Sequence, residues 1–279
     1  MIELALIASV PLLLAVEGEL IAQRAGMINL GIEGMLLVAS MTAVYAAQLS
    51  GSIAVGIAGG IAGAALVAAI FGAFAIHLRA DQIVTGTAIN LLALGITGFV
   101  YRELNDTFTR SVPHIESNAI ALFAWIAAPI ALAWTLWSTP FGLRLRACGE
   151  NPEAVGGANL SVYFHRWAAL AIEALLVGVA GADLALALSS GFAENMTAGR
   201  GYIALSIVIF GRWKVKGILL GTALFGAAAA MQYALQAASR GVQFHVLLAI
   251  PYVATLVILC GIAGRVRAPE SLGKSAEVE

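Results

Sequence analysis

Two short stretches concentrate polar groups within an otherwise apolar sequence. The first is Ala25-Gly-Met-Ile-Asn29-Leu-Gly-Ile-Glu33-Gly-Met35. Asn29 and Glu33 are four residues apart and share a face if the segment is helical, although Gly26, Gly31 and Gly34 weaken such a helix. Glycine-interrupted helices free backbone groups that can face a solute. The same residues also suit a plain turn into a helix, with Glu33 favouring the positive helix N-terminus. The second stretch is Phe192-Ala-Glu194-Asn195-Met-Thr197-Ala-Gly-Arg200-Gly-Tyr202, and only about ten purely apolar residues follow it, about half of what a spanning helix needs. Part of this stretch must lie at membrane depth, or the helix must be re-entrant. An aromatic ring, an amide and hydroxyl groups at such a place suit a sugar or a base. The plainer reading is an external loop capped by Arg200.

Other polar residues stand alone. Asn90, Gln232 and Gln236 each interrupt an apolar run, where an isolated amide usually makes an interhelical hydrogen bond of about 1 kcal/mol or less. Glu173 and Asp183 share one apolar segment but lie ten residues apart, on different faces. They read as a proton relay, as buried carboxylates form in pumps, or as local features near the two interfaces. There is no nucleophile elbow, no metal-ligand pair on one helical turn and no phosphate-cradling Gly-Lys-Ser/Thr loop. The chain reads as a transporter rather than an enzyme. Any energy from ATP must then enter through a partner, and no cofactor of the chain's own is expected.

The elements that position these residues follow from composition. Apolar residues make up 61% of the 279 residues and charged ones 11%, against roughly 25% charged in a soluble domain. No Asp, Glu, Lys or Arg occurs between Glu33 and Arg79, Glu116 and Arg144, Lys216 and Arg240, or Arg240 and Arg265. Lipid is the solvent such stretches suit. Nine apolar segments are expected, at about 4–22, 32–49, 53–76, 83–101, 119–137, 167–188, 192–211, 217–235 and 244–263. The fold class is an all-α polytopic membrane protein of about eight to ten transmembrane helices, some broken or re-entrant. Runs such as 57–76 lack the strict alternation of a membrane β-barrel.

If all nine segments cross, one side holds 11 of the 15 basic residues and the other 4. The richer side should be cytoplasmic, which places the C-terminus inside and the N-terminus outside. The first segment carries Glu17 and Glu19 and could instead be interfacial or re-entrant. It lacks a basic leader and a small-residue cleavage site, so it reads as retained. Residues 1–268 are expected to form one transmembrane domain with a cytoplasmic connection at 138–166, and 269–279 a disordered cytoplasmic tail. Cys148 and Cys260 are poorly placed to pair. A net charge of −1 offers nothing to nucleic acid. Gly56/Gly60, Gly59/Gly63 and Gly217/Gly221 are small-residue pairs that let helices approach closely.

Four motifs then converge. The run Glu19-Leu-Ile-Ala-Gln-Arg-Ala-Gly-Met-Ile-Asn-Leu-Gly-Ile-Glu-Gly-Met35 resembles the N-terminal signature of bacterial nucleoside and simple-sugar ABC transporter permeases, within the branched-chain amino acid/ribose type of inner-membrane permease. Phe141-Gly-Leu-Arg-Leu-Arg-Ala-Cys-Gly-Glu-Asn-Pro-Glu-Ala-Val155 is similar to that family's cytoplasmic coupling loop. Glu194-Asn-Met-Thr-Ala-Gly-Arg-Gly-Tyr-Ile-Ala-Leu-Ser-Ile-Val-Ile-Phe-Gly-Arg-Trp213 and Leu248-Ala-Ile-Pro-Tyr-Val253 follow in the expected order. The Glu-Asn-Met-Thr-Ala-Gly-Arg-Gly stretch looks most like the nucleoside-importing branch.

The resemblance implies a pair of related permeases, most simply a heterodimer, a cytoplasmic ABC ATPase that binds the ATP, and an extracytoplasmic substrate-binding protein. It implies a multi-pass location in the bacterial inner membrane. Asn29, Glu33, Asn90, Phe192, Glu194, Asn195 and Thr197 are candidates for the substrate path. Arg144, Arg146, Glu150, Asn151, Pro152 and Glu153 are candidates for ATPase coupling, within 142–160. The coupling loop also has its own physical logic: Arg144 and Arg146 alternate with leucines at the membrane face, and Asn151-Pro152-Glu153 reads as N-cap, first position and first turn of a short helix. Glu173 and Asp183 depart from the family, which usually has small or apolar residues there. The competing function is a proton-coupled secondary transporter of a small polar solute, working through Glu173, Asp183 or Glu33.

Overall fold

The computed structural model describes residues 2–104, 113–115, 118–189, 191–238 and 267–274. The expected segment 244–263 and the side chains of Gln232 and Gln236 lie outside the described residues. Among the described residues every regular element is helical, as a backbone in lipid requires when it must bond to itself.

Among the described residues, five stretches are long and apolar enough to cross a membrane: Ile32–Ser50, Ile53–His77, Gln82–Glu103, Asn118–Ser138 and Val162–Leu188. They coincide with expected segments two to six. The helices are α1 (Ile2–Ala8), α2 (Val10–Arg24), α3 (Ile32–Ser50), α4 (Ile53–Gly72), α5 (Gln82–Leu104), α6 (Asn118–Leu122), α7 (Ala128–Ser138), α8 (Pro140–Glu150), α9 (Pro152–Gly157), α10 (Val162–Asp183), α11 (Arg200–Phe210) and α12 (Val215–Ala238).

The first expected segment is two helices rather than one. The break falls at Ser9, two residues before Pro11, because proline lacks the N–H that would continue the ladder and its ring crowds the preceding turn. The same chemistry explains the wide turn Phe123–Ala127 ahead of Pro129, which separates α6 from α7. From Val10 to Gln23 every residue of α2 is buried. It is therefore a central helix and not an interfacial one, and Glu17 and Glu19 are enclosed by protein.

Around α2 pack α10, α11 and α12, and α3 and α4 close the bundle against α10, with α5 outside α3. The packing relies on small residues where backbones meet. A side chain on Gly60 would come 2.8 Å from the Gly178 carbonyl of α10 and 3.3 Å from the Ala39 carbonyl of α3. The Gly56/Gly60 and Gly59/Gly63 pairs thus sit in real helix contacts. By contrast, α5 turns Ile83, Val84, Leu91, Leu92 and Phe99 outward.

Segment 138–166 is not a single loop. Pro140–Glu150 and Pro152–Gly157 are helices that meet at an elbow, steadied by a small apolar core of Cys148, Val155 and Val162. Residues 269–274, the first part of the expected tail 269–279, lie with 267 and 268 against this elbow, and Ser271 is buried. Residues 275–279 lie outside the described residues.

Candidate functional site: a half-helix capped inside the bundle

Helix α11 has eleven residues and is about 16 Å long, roughly half the hydrocarbon thickness. It is preceded by turns through 194–199, in which Gly199 has φ +81° and Asn195 φ +54°, backbone angles that glycine and asparagine tolerate best. The polar stretch before the short apolar run therefore ends in a half-helix, as its length demands.

The N-terminus of α11 is occupied by Glu33. Its Oε1 accepts hydrogen bonds from Thr197 Oγ1 at 2.6 Å and Gly199 N at 2.8 Å, and its Oε2 accepts from Gly201 N at 2.6 Å. The two glycine amides are donors a helix leaves unsatisfied at its start, and a carboxylate complements both their geometry and the helix dipole. The approach is close enough to require glycine, since a Cβ on Gly201 would stand 2.6 Å from the Glu33 backbone. Glu33 thus complements a helix N-terminus, but that of α11, across 168 residues of sequence, rather than only its own.

Asn90 completes this junction from α5. It sits two turns into that helix, about 12 Å from its start. Its Oδ1 accepts from Gly34 N at 2.7 Å, and its Nδ2 donates to the Leu30 carbonyl at 2.7 Å and to the Tyr202 hydroxyl at 2.9 Å. One amide thereby ties the start of α3 to α5 and to the first turn of α11. Tyr202, which ends the second polar stretch but is not among the path candidates, is 45% exposed while its hydroxyl is bonded. Its signal was its position at the N-terminus of a helix too short to cross.

Asn29 does not share a helical face with Glu33, because α3 begins only at Ile32. Asn29 instead turns into the bundle, where its Nδ2 donates to Glu173 Oε1 at 3.0 Å. Glu173 thus anchors the turn 25–31 to α10. On the same side, Gln23 Nε2 donates to Glu19 Oε1 at 2.7 Å and Trp213 Nε1 donates to Gln23 Oε1 at 2.6 Å. This second chain of polar contacts runs from α2 to the turn after α11.

The remaining path candidates stand apart from the junction. Phe192 is buried among Leu37, Met41, Val44 and Ile115 and meets Tyr101 edge-on, its centroid 5.5 Å away. It is core. Glu194 is exposed and pairs with Arg102 at 3.4 Å, a surface contact worth little. Asn195 is exposed in the turn.

At the other end, Asn151 Oδ1 accepts from Ala154 N at 3.0 Å with Pro152 at the first helical position, as the pattern of residues predicts. Arg144 and Arg146 do not form one cationic edge. Residues two apart on a helix point to opposite sides. Arg144 is exposed, and Arg146 lies over the Trp137 ring at 5.8 Å, which Arg24 also approaches, at 5.7 Å. Glu150 and Glu153 face outward. Replacing Asn151 with alanine should cost about 1 kcal/mol of α9 stability and raise amide exchange in 152–157 while leaving membrane insertion unchanged. Hydrogen exchange in detergent would measure it.

The family described as "branched-chain amino acid transport system / permease component" matches residues 1–251. The chain belongs to this permease family. Among curated proteins, the permease is 31% identical to the nucleoside ABC transporter permease protein NupC of Lactococcus lactis, across 96% of the chain and 93% of that protein. It is 30% identical to the guanosine ABC transporter permease protein NupQ of Bacillus subtilis, with the same coverage. It is 32% identical to the putative glucose ABC transporter permease protein TsgC13 of Haloferax volcanii, over 83% of the chain and 76% of the relative. No solved structure matches the permease. The resemblance carried by the four motifs is thus established at the level of the family, and the chain is a multi-pass membrane permease subunit.

Proposed function

We propose that this permease forms part of the translocation path of an ATP-driven importer for a neutral polar solute, a nucleoside in preference to a simple sugar. The observation that carries this reading is the capped half-helix. Broken helices at membrane depth use their N-termini to hold anionic groups of a solute. Here those donors are already taken by Glu33, so they favour a solute without a carboxylate or phosphate. Beside them, the Tyr202 ring offers a surface on which a base or a sugar can stack. The names of the similar proteins, nucleoside and guanosine permeases among them, support the nucleoside.

In this reading a second, related permease covers the outward apolar face of α5, and an extracytoplasmic protein delivers the solute. A cytoplasmic ABC ATPase binds and hydrolyses the ATP and pushes on the α8–α9 elbow. The elbow and segment 267–274 then face the cytoplasm, the side richer in basic residues. The bacterial origin of the similar NupC and NupQ proteins supports a bacterial cell (inner) membrane as the site of the assembly. Such a switch needs two states with different contacts to ATP-bound and ATP-free partner. In proteoliposomes, Glu153→Lys and Arg146→Ala should lower uptake per ATP about tenfold while the chain still inserts and the wild type takes up nucleosides but not their 5′-monophosphates. Unchanged uptake in both variants would remove the coupling assignment, and equal uptake of monophosphates would remove the neutral-solute assignment.

A further inference from the structure

Segment 267–274 makes more contacts than an incidental tail requires. Ser271 N donates to the Gly149 carbonyl at 2.9 Å, and Ser271 Oγ lies 2.7 Å from that carbonyl and 3.0 Å from the carbonyl of Cys148. Gly273 N donates to the Gly26 carbonyl at 3.1 Å. The Lys274 carbonyl accepts from Arg166 at 3.3 Å and from Gln82 Nε2 at 3.4 Å, and Gln82 Oε1 in turn accepts from Ile28 N at 2.7 Å. The segment therefore bonds to four separate parts of the fold: the α8–α9 elbow, the turn after α2, the start of α5 and the start of α10.

Two of these parts matter together. The elbow is where the proposed ATPase pushes. The turn 25–31 carries Asn29, which is fixed to Glu173, and leads into Glu33 at the α11 N-terminus. Direct contact between elbow and turn is already tight, because a side chain on Gly149 would meet the Arg24 carbonyl and come 3.1 Å from Gly26 N. Ser271 and Gly273 bridge the same two elements with hydrogen bonds. A cleft of about 680 Å³ opens beside them, walled by Asp81, Glu150, Glu153, Glu270 and Lys274, so the segment and the coupling residues share one surface.

We infer that segment 267–274 is a coupling strap, in which Ser271 is a positioning residue that makes the α8–α9 elbow and the turn 25–31 move as one body. The inference rests on the importer reading for what drives the motion, while the strap itself is a property of this chain. Displacement of the elbow then reaches Asn29 and Glu33 without loss. Without the strap, the elbow can yield while the turn stays behind, and ATP is spent without transport.

Cys148 supplies an internal reporter. It is fully buried under the strap, and burial pushes its thiol up to about 11, so little thiolate is present at neutral pH and alkylation is slow. In a Cys260→Ser background, the double variant Ser271→Ala/Gly273→Pro should label at Cys148 about tenfold faster than the parent, and Ser271→Thr alone should keep the slow rate. In proteoliposomes with the ATPase, second permease and binding protein, the double variant should consume about tenfold more ATP per nucleoside imported, with the ATPase still co-purifying and thermal unfolding little changed. A Cys148 rate equal to the parent's would overturn the strap, and so would fast labelling with unchanged ATP per nucleoside. Failure of the ATPase to co-purify with the parent chain would instead overturn the importer reading and with it the strap's role in coupling, while the labelling arm still decides whether the strap exists.

Discussion

Replacing Glu33 with alanine is expected to abolish solute uptake and to destabilise the permease by roughly 3–5 kcal/mol, because several buried donors lose their acceptor together. Thr197 Oγ1, Gly199 N and Gly201 N all give their hydrogen bonds to this one carboxylate. A methyl group leaves them facing an apolar interior at the positive end of α11, the least favourable place for orphaned donors. Glu33→Gln should be milder. Its carbonyl oxygen can keep the bonds from Thr197 and Gly199, but its amide would meet the Gly201 N–H, donor against donor. The ordering alanine, glutamine, wild type in both uptake and thermal stability is the expected result. Equal stability of all three would mean that the cap does not hold α11.

Helix packing should be nearly as sensitive at one glycine. Gly60→Val is expected to cost about 3 kcal/mol and to remove the monodisperse peak on size-exclusion chromatography in detergent. Its branched side chain would press on the Gly178 carbonyl of α10 and on the Ala39 carbonyl and Ala43 methyl of α3 at once, so helices on two sides would both have to retreat. Gly95→Val, on α5 with nothing within 4 Å of the added carbon, is the matched control and should behave as wild type in the isolated chain.

Much of the architecture was legible because lipid imposes a simple rule on sequence. Long charge-free runs had to be helices, and segments two to six appear at nearly their expected places. The misreadings have physical causes. Segment 4–22 is apolar apart from Ser9, Glu17 and Glu19, and hydropathy cannot tell a helix wrapped in protein from one wrapped in lipid, so the central position of α2 was hidden. Its acids are the trace of that position, for Glu19 finds Gln23 inside the bundle. Segment 138–166 looked like a loop because its helices are short and polar, although the Asn151-Pro152 pair correctly announced α9.

The candidate site was legible in its membership more than in its wiring. Glu33, Asn90 and Thr197 were singled out separately and lie together. Spacing along one chain segment reports only neighbours on the same helix. Nothing in it could say that Glu33 serves a helix starting at Arg200, or that Asn29 and Glu33 diverge because α3 starts between them. The same limit applies to Phe192: an aromatic beside a polar turn fits a solute wall, and spacing alone could not show that its ring packs against Tyr101.

Purified permease in proteoliposomes with the proposed partners (a related membrane subunit, an ATPase and a solute-binding protein) offers the most direct test, with labelled guanosine as solute. Uptake should need ATP inside the ATPase-accessible compartment, persist with a protonophore present, and vanish with Glu33→Ala. Accumulation that ignores ATP but collapses with the proton gradient would contradict the account and leave a secondary transporter in its place.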